Sequence, residues 1–407
     1  MRTVGIQVGR LRTFMRLALL LAIGALFVFS AVLMGPDKSA SAGEPHGNDS
    51  QTDSESYVAI DDSRRVEVLK SISEKIRKNR DAIQTWSGTF RFQDDAVLNH
   101  QQAEKFFGSK AITKLGLTPP LSKKDRGRGS FVVDNATNSL FVDFRNEFTE
   151  LREQRGERIA ELDRAKFWQR TILTPEHYLH IQPEQVYGGF EIAPDAEPRQ
   201  GCAAFRDPVA KAKEEEWGIV VDPRRVFDAG RPFYEEFEVY AQAVERGGES
   251  ADAIEVKEWA ADKGMRYRIK VSGVPSAVGS PKVELWTTVA EEAGFNPVRF
   301  DVLVDGNTHQ YTSWQYRDVH GALVPTTVFR MVATADGKSV AFQRALTIED
   351  SKLNEDIPAQ GFTASAIGLK EGERLLDRID NKLFVLTNGE LKWIDGGMDQ
   401  AVDRVEQ

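Results

Sequence analysis

"VLKSISEKIRKNRDAIQTWSGTFRF", residues 68–92, decides how this chain is built. Its first half is helical in period. With Val66 just upstream, Leu69, Ile72, Ile76 and Ile83 fall near one face, and Lys, Arg and Glu fill the opposite one. Its second half alternates, as a strand does: Trp86, Phe90 and Phe92 stand on even positions, Thr85, Thr89 and Arg91 on odd ones. The spacing predicts a helix with Asp62 or Ser63 as N-cap, ending near Asn79 to Ile83, that leads straight into a strand with an aromatic face. Such a face must be covered by something apolar.

Downstream, the period of two continues. "GSFVVD" and "SLFVDFR" flank "NATN", a hairpin loop, and Leu140, Val142 and Phe144 share a face opposite Asp143 and Arg145. Residues 147–253 are less regular. "FTELREQRGERIAELDRAKFWQ" has mixed charge and reads as strands or as a helix. "VDPRRVFDAG", 221–230, reads as a loop with a short helical turn. "PFYEEFEVYAQAVERG", 232–247, places Phe233, Phe237, Tyr240 and Val244 at helical spacing and stops at Gly247. From about 254 the chain is an antiparallel meander with turn signals at Asp262–Gly264, Gly294–Pro297, Asp305–Gly306, His320–Gly321 and Asp336–Gly337. Some eight to ten strands are expected in all, with short connections that make neighbours antiparallel. The tail after residue 363 reads as a short helix and a hairpin turning at Asn388–Gly389.

The N-terminus carries a different message. Arg2, Arg10, Arg12 and Arg16 precede an uncharged run, "LALLLAIGALFVFSAVLM" (17–34), and "SASAG" offers Ala40 and Ala42 as an A-x-A site. Basic, apolar and small-residue segments in that order form a signal peptide over 1–42, or a retained anchor, since the run approaches bilayer-spanning length. Either way the bulk of the chain is placed outside the cytoplasm, periplasmic or secreted, at the cell envelope. Residues 43–61 are small, polar and acidic, the composition of a flexible linker.

Charge argues against nucleic acid. The chain carries −9, and its first 42 residues a net +4 (those four Arg and Lys38 against Asp37), which leaves the body at −13. The one basic cluster, "KKDRGR" at 123–128, lacks interleaved aromatics and reads as a solvated loop. Cys202 is the sole cysteine, so no intramolecular disulfide forms, and a small buried or half-buried side chain is its expected role. The sequence contains no nucleophile elbow, P-loop or dinucleotide fingerprint. In "HYLH", His177 and His180 would share a face on a helix, but Pro175 and Pro183 confine any helix there and no third ligand is fixed by spacing. No catalytic residue, metal site or cofactor is assigned. Asn48 and Asn135 stand in glycosylation-type triplets, a pattern frequent by chance.

The combination of export segment, amphipathic helix, W-x-G-x-F strand and antiparallel sheet with an inserted helix resembles the LolA/LolB-like family of periplasmic lipoprotein carriers and RseB-type stress regulators. The residues that carry the resemblance are the stretch quoted above, "FNPVRFDVLVDG", "YTSWQYRDVHGALVPTTVFRMV" and "LTIEDSKLNEDIPAQGF", covering about 65–362 discontinuously. The carriers are much shorter. That difference places insertions at about 95–125 and 147–253 within a domain over 62–362, followed by a C-terminal extension over 363–407. The resemblance implies an α+β fold, a large curved antiparallel half-barrel wrapped on the N-terminal helix and inserted helices, whose concave apolar side takes acyl chains. The expected lining residues, chosen from strand faces, are Trp86, Phe90, Phe92, Val142, Phe144, Leu285, Phe300, Val302 and Trp314. The expected partner is a lipid or acylated protein at the envelope membrane, held by a monomer. Two other readings stand beside it: a membrane-tethered interaction or scaffold module whose core is filled, and a hydrolase with a site on 147–253.

Overall fold

The structure is a computed structural model. It describes residues 57–153, 158–162, 167–183, 202–209, 226–228, 232–273, 281–334, 337, 339–357, 361–363, 366–388 and 390–394. The expected export segment and most of the linker lie outside the described residues, as does Asp336 of the Asp336–Gly337 turn.

A short strand, β1 (Val58–Ala59), precedes helix α1 (Asp62–Asp81). The N-cap is Asp61, one residue earlier than expected, and its carboxylate accepts from the Arg64 N–H at 2.9 Å. Lys78 and Arg80 sit in the last turn, where cations complement the helix dipole. Strand β2 (Thr85–Leu98) follows directly. Next come α2 (His100–Phe107), opened by an Asn99–Gln102 capping box, and α3 (Ser109–Leu115), closed by left-handed Gly116. Then β3 (Leu121–Asp134), β4 (Ser139–Glu153), β5 (Ile159–Leu162), β6 (Phe167–Leu173), β7 (Tyr178–Pro183) and β8 (Cys202–Asp207) run in sequence. Helices α4 (Phe233–Arg246) and α5 (Glu249–Asp252) precede the meander β9 (Ile254–Ala261), β10 (Gly264–Ser272), β11 (Val283–Ala290), β12 (Pro297–Val304), β13 (Asn307–Val319), β14 (Ala322–Ala333) and β15 (Val340–Leu353). The tail adds β16 (Arg374–Asp377), β17 (Lys382–Thr387) and β18 (Glu390–Trp393).

Pairing runs in one line: β1, β9 to β15 in order, β2, β3, β4, β6, β7, β8, β16, β17, β18, with β5 also on β4. Among the described residues β18 does not pair with β1, so the sheet is open. Every pairing is antiparallel except β8 with β16. The decisive long-range contact is β15 with β2, which sets Leu346 opposite Phe92 and returns the end of the meander to its N-terminal strand.

The sheet must curl. Ten strands, from β9 round to β4, contribute to a single apolar core together with α1 and α4. Laid flat at about 4.8 Å per strand they would span about 43 Å, whereas two adjacent helices cover only about 20 Å. The expected α+β half-barrel on helices is therefore present. Trp86 and Phe300 point inward, at 1% and 7% exposure.

Several expectations are corrected. The strands far outnumber eight to ten, because the described parts of 148–183 take the strand reading of the two left open and the tail forms three. "KKDRGR" is the middle of β3, not a loop: Lys123 and Asp125 face inward in the register that puts Asp125 opposite Asp94. "HYLH" runs into β7, so His177 and His180, three apart, do not share the face a helix would have given them. In the tail, the stretch read as a short helix holds β16, whose apolar Leu375 packs on β8 residue Ala204 and seals a second core with Ile172, Leu179 and Ile181. The 95–125 segment is partly sheet; its two helices cover a third core at Leu98, Leu121 and Leu151.

Candidate functional site

The concave face is the candidate site. On β2, Trp86, Phe90 and Phe92 project inward because alternate residues of a strand share a face. Directly opposite on β3 stand Gly129, across from Phe90, and Gly127, across from Phe92. The rings lie over these glycines: a Cβ at Gly129 would fall 2.5 Å from Phe90 Cζ and one at Gly127 2.3 Å from Phe92 Cε1. Phe144 on β4 then stacks on Phe92 at 5.1 Å between centroids and on Phe90 at 6.5 Å. Val142 lies beside Phe131, its register partner, which meets Trp86 edge-on at 4.8 Å.

The other expected residues form a second group. Phe300 and Val302 on β12 and Trp314 on β13 are buried; Leu285 on β11 is partly buried and packed against them. The two groups do not touch ring to ring. Helix α4 bridges the β12–β13 group to the interior: Phe233 meets Trp314 at 5.9 Å and Phe300 at 6.0 Å, both edge-on, and Phe237 at 6.0 Å. Trp314 Nε1 donates to the Val226 carbonyl. All nine expected residues thus belong to one core or, for Leu285, pack against it, and α1 and α4 contribute side chains to that same core. The α4 aromatics were visible in the sequence as a helical stripe, but nothing local said which surface they would cover.

Where α1 and α4 meet solvent, the seam turns polar. Lys70, Glu74, Arg77, Glu238 and Gln242 line a cleft of about 470 Å³. Lys70 pairs with Glu245 and Arg77 with Glu238 across it. Deeper, Arg80 on α1 pairs with Asp228, which also accepts from the Phe233 N–H at 3.4 Å, so one carboxylate ties α1 to the start of α4. Burial raises the Asp228 pKa above the ordinary carboxylate range, and Arg80 opposes the rise.

Past Phe92 the concave face also changes character. Asp94 is the next inward residue on β2, opposite Arg344 on β15, and the pair is bidentate, with Nε to Oδ1 at 2.7 Å and Nη2 to Oδ2. Asp125 on β3 accepts from Thr149 Oγ1 at 2.6 Å and pairs with Lys123. Arg330 on β14 faces Arg344 and donates to Gln310 Oε1 at 3.4 Å. This polar belt separates the main core from the one under α2 and α3. It was not read from the sequence, where its members look like ordinary solvent-facing charges.

At the far wing, His180 Nε2 and Asp207 Oδ2 are 2.8 Å apart and buried, with Arg378 Nη1 donating to the same oxygen at 3.2 Å. Tyr178 and Phe205 stack on the imidazole at 4.7 and 5.2 Å. These contacts, one of them the Arg378–Asp207 ion pair, hold β7, β8 and the β16 turn together. Among the described residues, no three His, Cys, Asp or Glu side chains are grouped as metal ligands would be, and no helix is long and apolar enough to cross a membrane.

No protein-family model and no curated protein matches the sequence. Among solved structures, the chain is similar to a putative outer membrane lipoprotein-sorting protein domain from Vibrio parahaemolyticus, at 8% identity and a TM-score of 0.32, over 75% of this chain and 99% of that one. It is also similar to a DUF1329 family protein from Desulfovibrio piger, at 8% identity and a TM-score of 0.29, over 74% and 99% of the two chains. The fold assignment itself rests on the strand pairing described above.

Proposed function

We propose that this chain is an exported, non-enzymatic binding protein that accepts an acyl chain, free or on a lipidated partner, on the concave face of its sheet in exchange for helix α4. One observation carries the reading. The apolar stripe of an amphipathic helix, Phe233, Phe237, Tyr240 and Val244, fills a sheet groove walled by Phe300 and Trp314, while its outer seam with α1 is held by charges. The exchange is close to balanced. Four large side chains at about 1.5–3 kcal/mol each give α4 roughly 6–12 kcal/mol of apolar burial, and a 14-carbon chain at about 0.8 kcal/mol per CH₂ offers about 11 kcal/mol. The leader-like N-terminus supports export.

The test is saturable uptake of a fluorescent fatty acid by the mature protein, with hydrogen-exchange protection lost across 233–246 on binding. No uptake at micromolar protein overturns the reading. In that case the tethered interaction module gains, because the tight Trp86–Phe131 and Phe92–Phe144 contacts are those of a permanently filled core. Native mass spectrometry of protein from its own envelope then finds no lipid.

A further inference from the structure

We infer that Arg330 is an oxyanion anchor at the polar edge of the concave face, set to hold the carboxylate or phosphate head of a ligand whose tail lies along Val328, Leu346 and Phe92. The identity of the tail rests on the reading above; the anion site does not.

Position comes first. Arg330 shares a face with Val328, two residues before it on β14, and Val328 lies between Trp314 and Leu346 in register, with Phe92 beyond. One step further along the strands, the row reads Phe300, Thr312, Arg330, Arg344, Asp94 and Asp125. An extended apolar chain on the first row would bring its end to the second.

Charge comes next. Arg344 is satisfied by the bidentate contact with Asp94, and Asp125 by Lys123 and Thr149. Arg330 has no such carboxylate. Among the described residues its hydrogen bond is to a neutral amide, Gln310 Oε1 at 3.4 Å, and its Nε is shielded from solvent without an acceptor. Directly opposite stands a second guanidinium, Arg344. Like charges facing across a ladder are unfavourable, and a guanidinium withdrawn from water needs a partner. The strain is visible in its proton affinity: burial, and then Arg344, push the Arg330 pKa down to about 10. A planar fork of donors in this condition is complementary to one oxyanion held bidentately. The residue as a whole is only partly buried, so some of its surface stays open to solvent. A purely packing role, with the stem covering apolar surface, would explain the position but not the missing counter-charge.

The experiment has two arms. In the first, inorganic phosphate is titrated into the wild-type protein while the Arg330 Nε–Hε NMR resonance is followed. The resonance is identified by its absence in Arg330→Gln and, should that variant not fold, in Arg330→Lys. A saturable shift in the millimolar range is expected; no movement at tens of millimolar overturns the inference whatever the second arm gives. In the second, dodecanoate, dodecyl phosphate and dodecanol are compared. At least one charged ligand binds tenfold or more tighter than the alcohol, and whichever does identifies the head group. Arg330→Gln erases the difference without weakening dodecanol, and Arg330→Lys retains part of it. Equal affinity for acid, phosphate and alcohol overturns the inference. A phosphate response with no lipid bound at all leaves the anchor standing and removes the acyl-chain reading instead.

Discussion

Replacing Gly129 by Ala tests the central geometric claim, that the aromatic face of β2 is seated on bare backbone in β3. The added Cβ would lie 2.3 Å from the Asp143 carbonyl oxygen and 2.5 Å from Phe90 Cζ, where ordinary contact begins at 3.4 Å. Something must therefore withdraw by about 1.1 Å, the difference of those two distances. Phe90 cannot take up all of it, because its ring is held between Phe131 and Phe144, and the Asp143 oxygen belongs to the neighbouring strand. Overpacking of this kind costs about 1–3 kcal/mol, and a clash with backbone places Gly129→Ala at the upper end. Gly88→Ala is the control, since its Cβ would meet the Glu349 oxygen at 3.0 Å and Phe131 at 3.2 Å, so the loss is smaller. Urea unfolding followed by tryptophan fluorescence gives both values. With an m-value of about 3 kcal/mol/M or more for a chain of this size, the Gly129→Ala midpoint drops by up to about 1 M. Adding Phe90→Leu relieves the ring contact but not the carbonyl contact. The double variant is then more stable than the two single losses predict, by about 0.5–3 kcal/mol. A Gly129→Ala loss below about 0.5 kcal/mol, or one equal to that of Gly88→Ala, refutes the reasoning.

Arg80→Met leaves Asp228 buried without its cation, a loss of about 3–5 kcal/mol; amides in 233–246 should exchange faster than those of β2, and uniform loss across both would show that α4 does not dock independently. His309 is buried and its Nε2 has no hydrogen-bond partner among the described residues, and burial lowers its pKa from 6.5. The unfolded chain therefore binds more protons than the native one below about 6.5, so stability is lost as pH falls through that range. His309→Gln should flatten the dependence of the unfolding midpoint between about pH 6.5 and 5, and an unchanged slope counts against it. Removal of residues 363–407 uncovers Ile172, Leu179 and Ile181, at about 1.5–3 kcal/mol each; the truncated chain should aggregate on size-exclusion chromatography, and a stable monomer would make the tail dispensable.

Much of the fold was legible because it is written locally. Helix α1, its passage into β2, helix α4 with its stop at Gly247, and the turns at Asp305–Gly306 and His320–Gly321 all follow from periodicity, capping and left-handed turn residues within a few positions. That Trp86, Phe90 and Phe92 share one face of their strand, and Phe300 and Val302 one face of theirs, was likewise fixed by alternation. What fills the space in front of them was not, because apolar residues on one face are required equally by a cavity and by a packed core. The covering helix lies about 150 residues from β2 in the chain, and its stripe carries no address. The tail failed for a related reason. "GERLLDRI" satisfies a helical period, and only the free edge of β8, a product of the tertiary fold, draws it into a parallel strand.

Arg330 marks the limit most sharply. In the sequence it is one cation among 53 Lys and Arg, placed by period two on the same face as Val328 and Val332. Period two says which residues share a side of a strand, and the sequence by itself determined that much throughout. Which side is inside, and which charges then lack a counter-charge, depends on strands hundreds of residues apart being brought into register, and only the tertiary structure decides that.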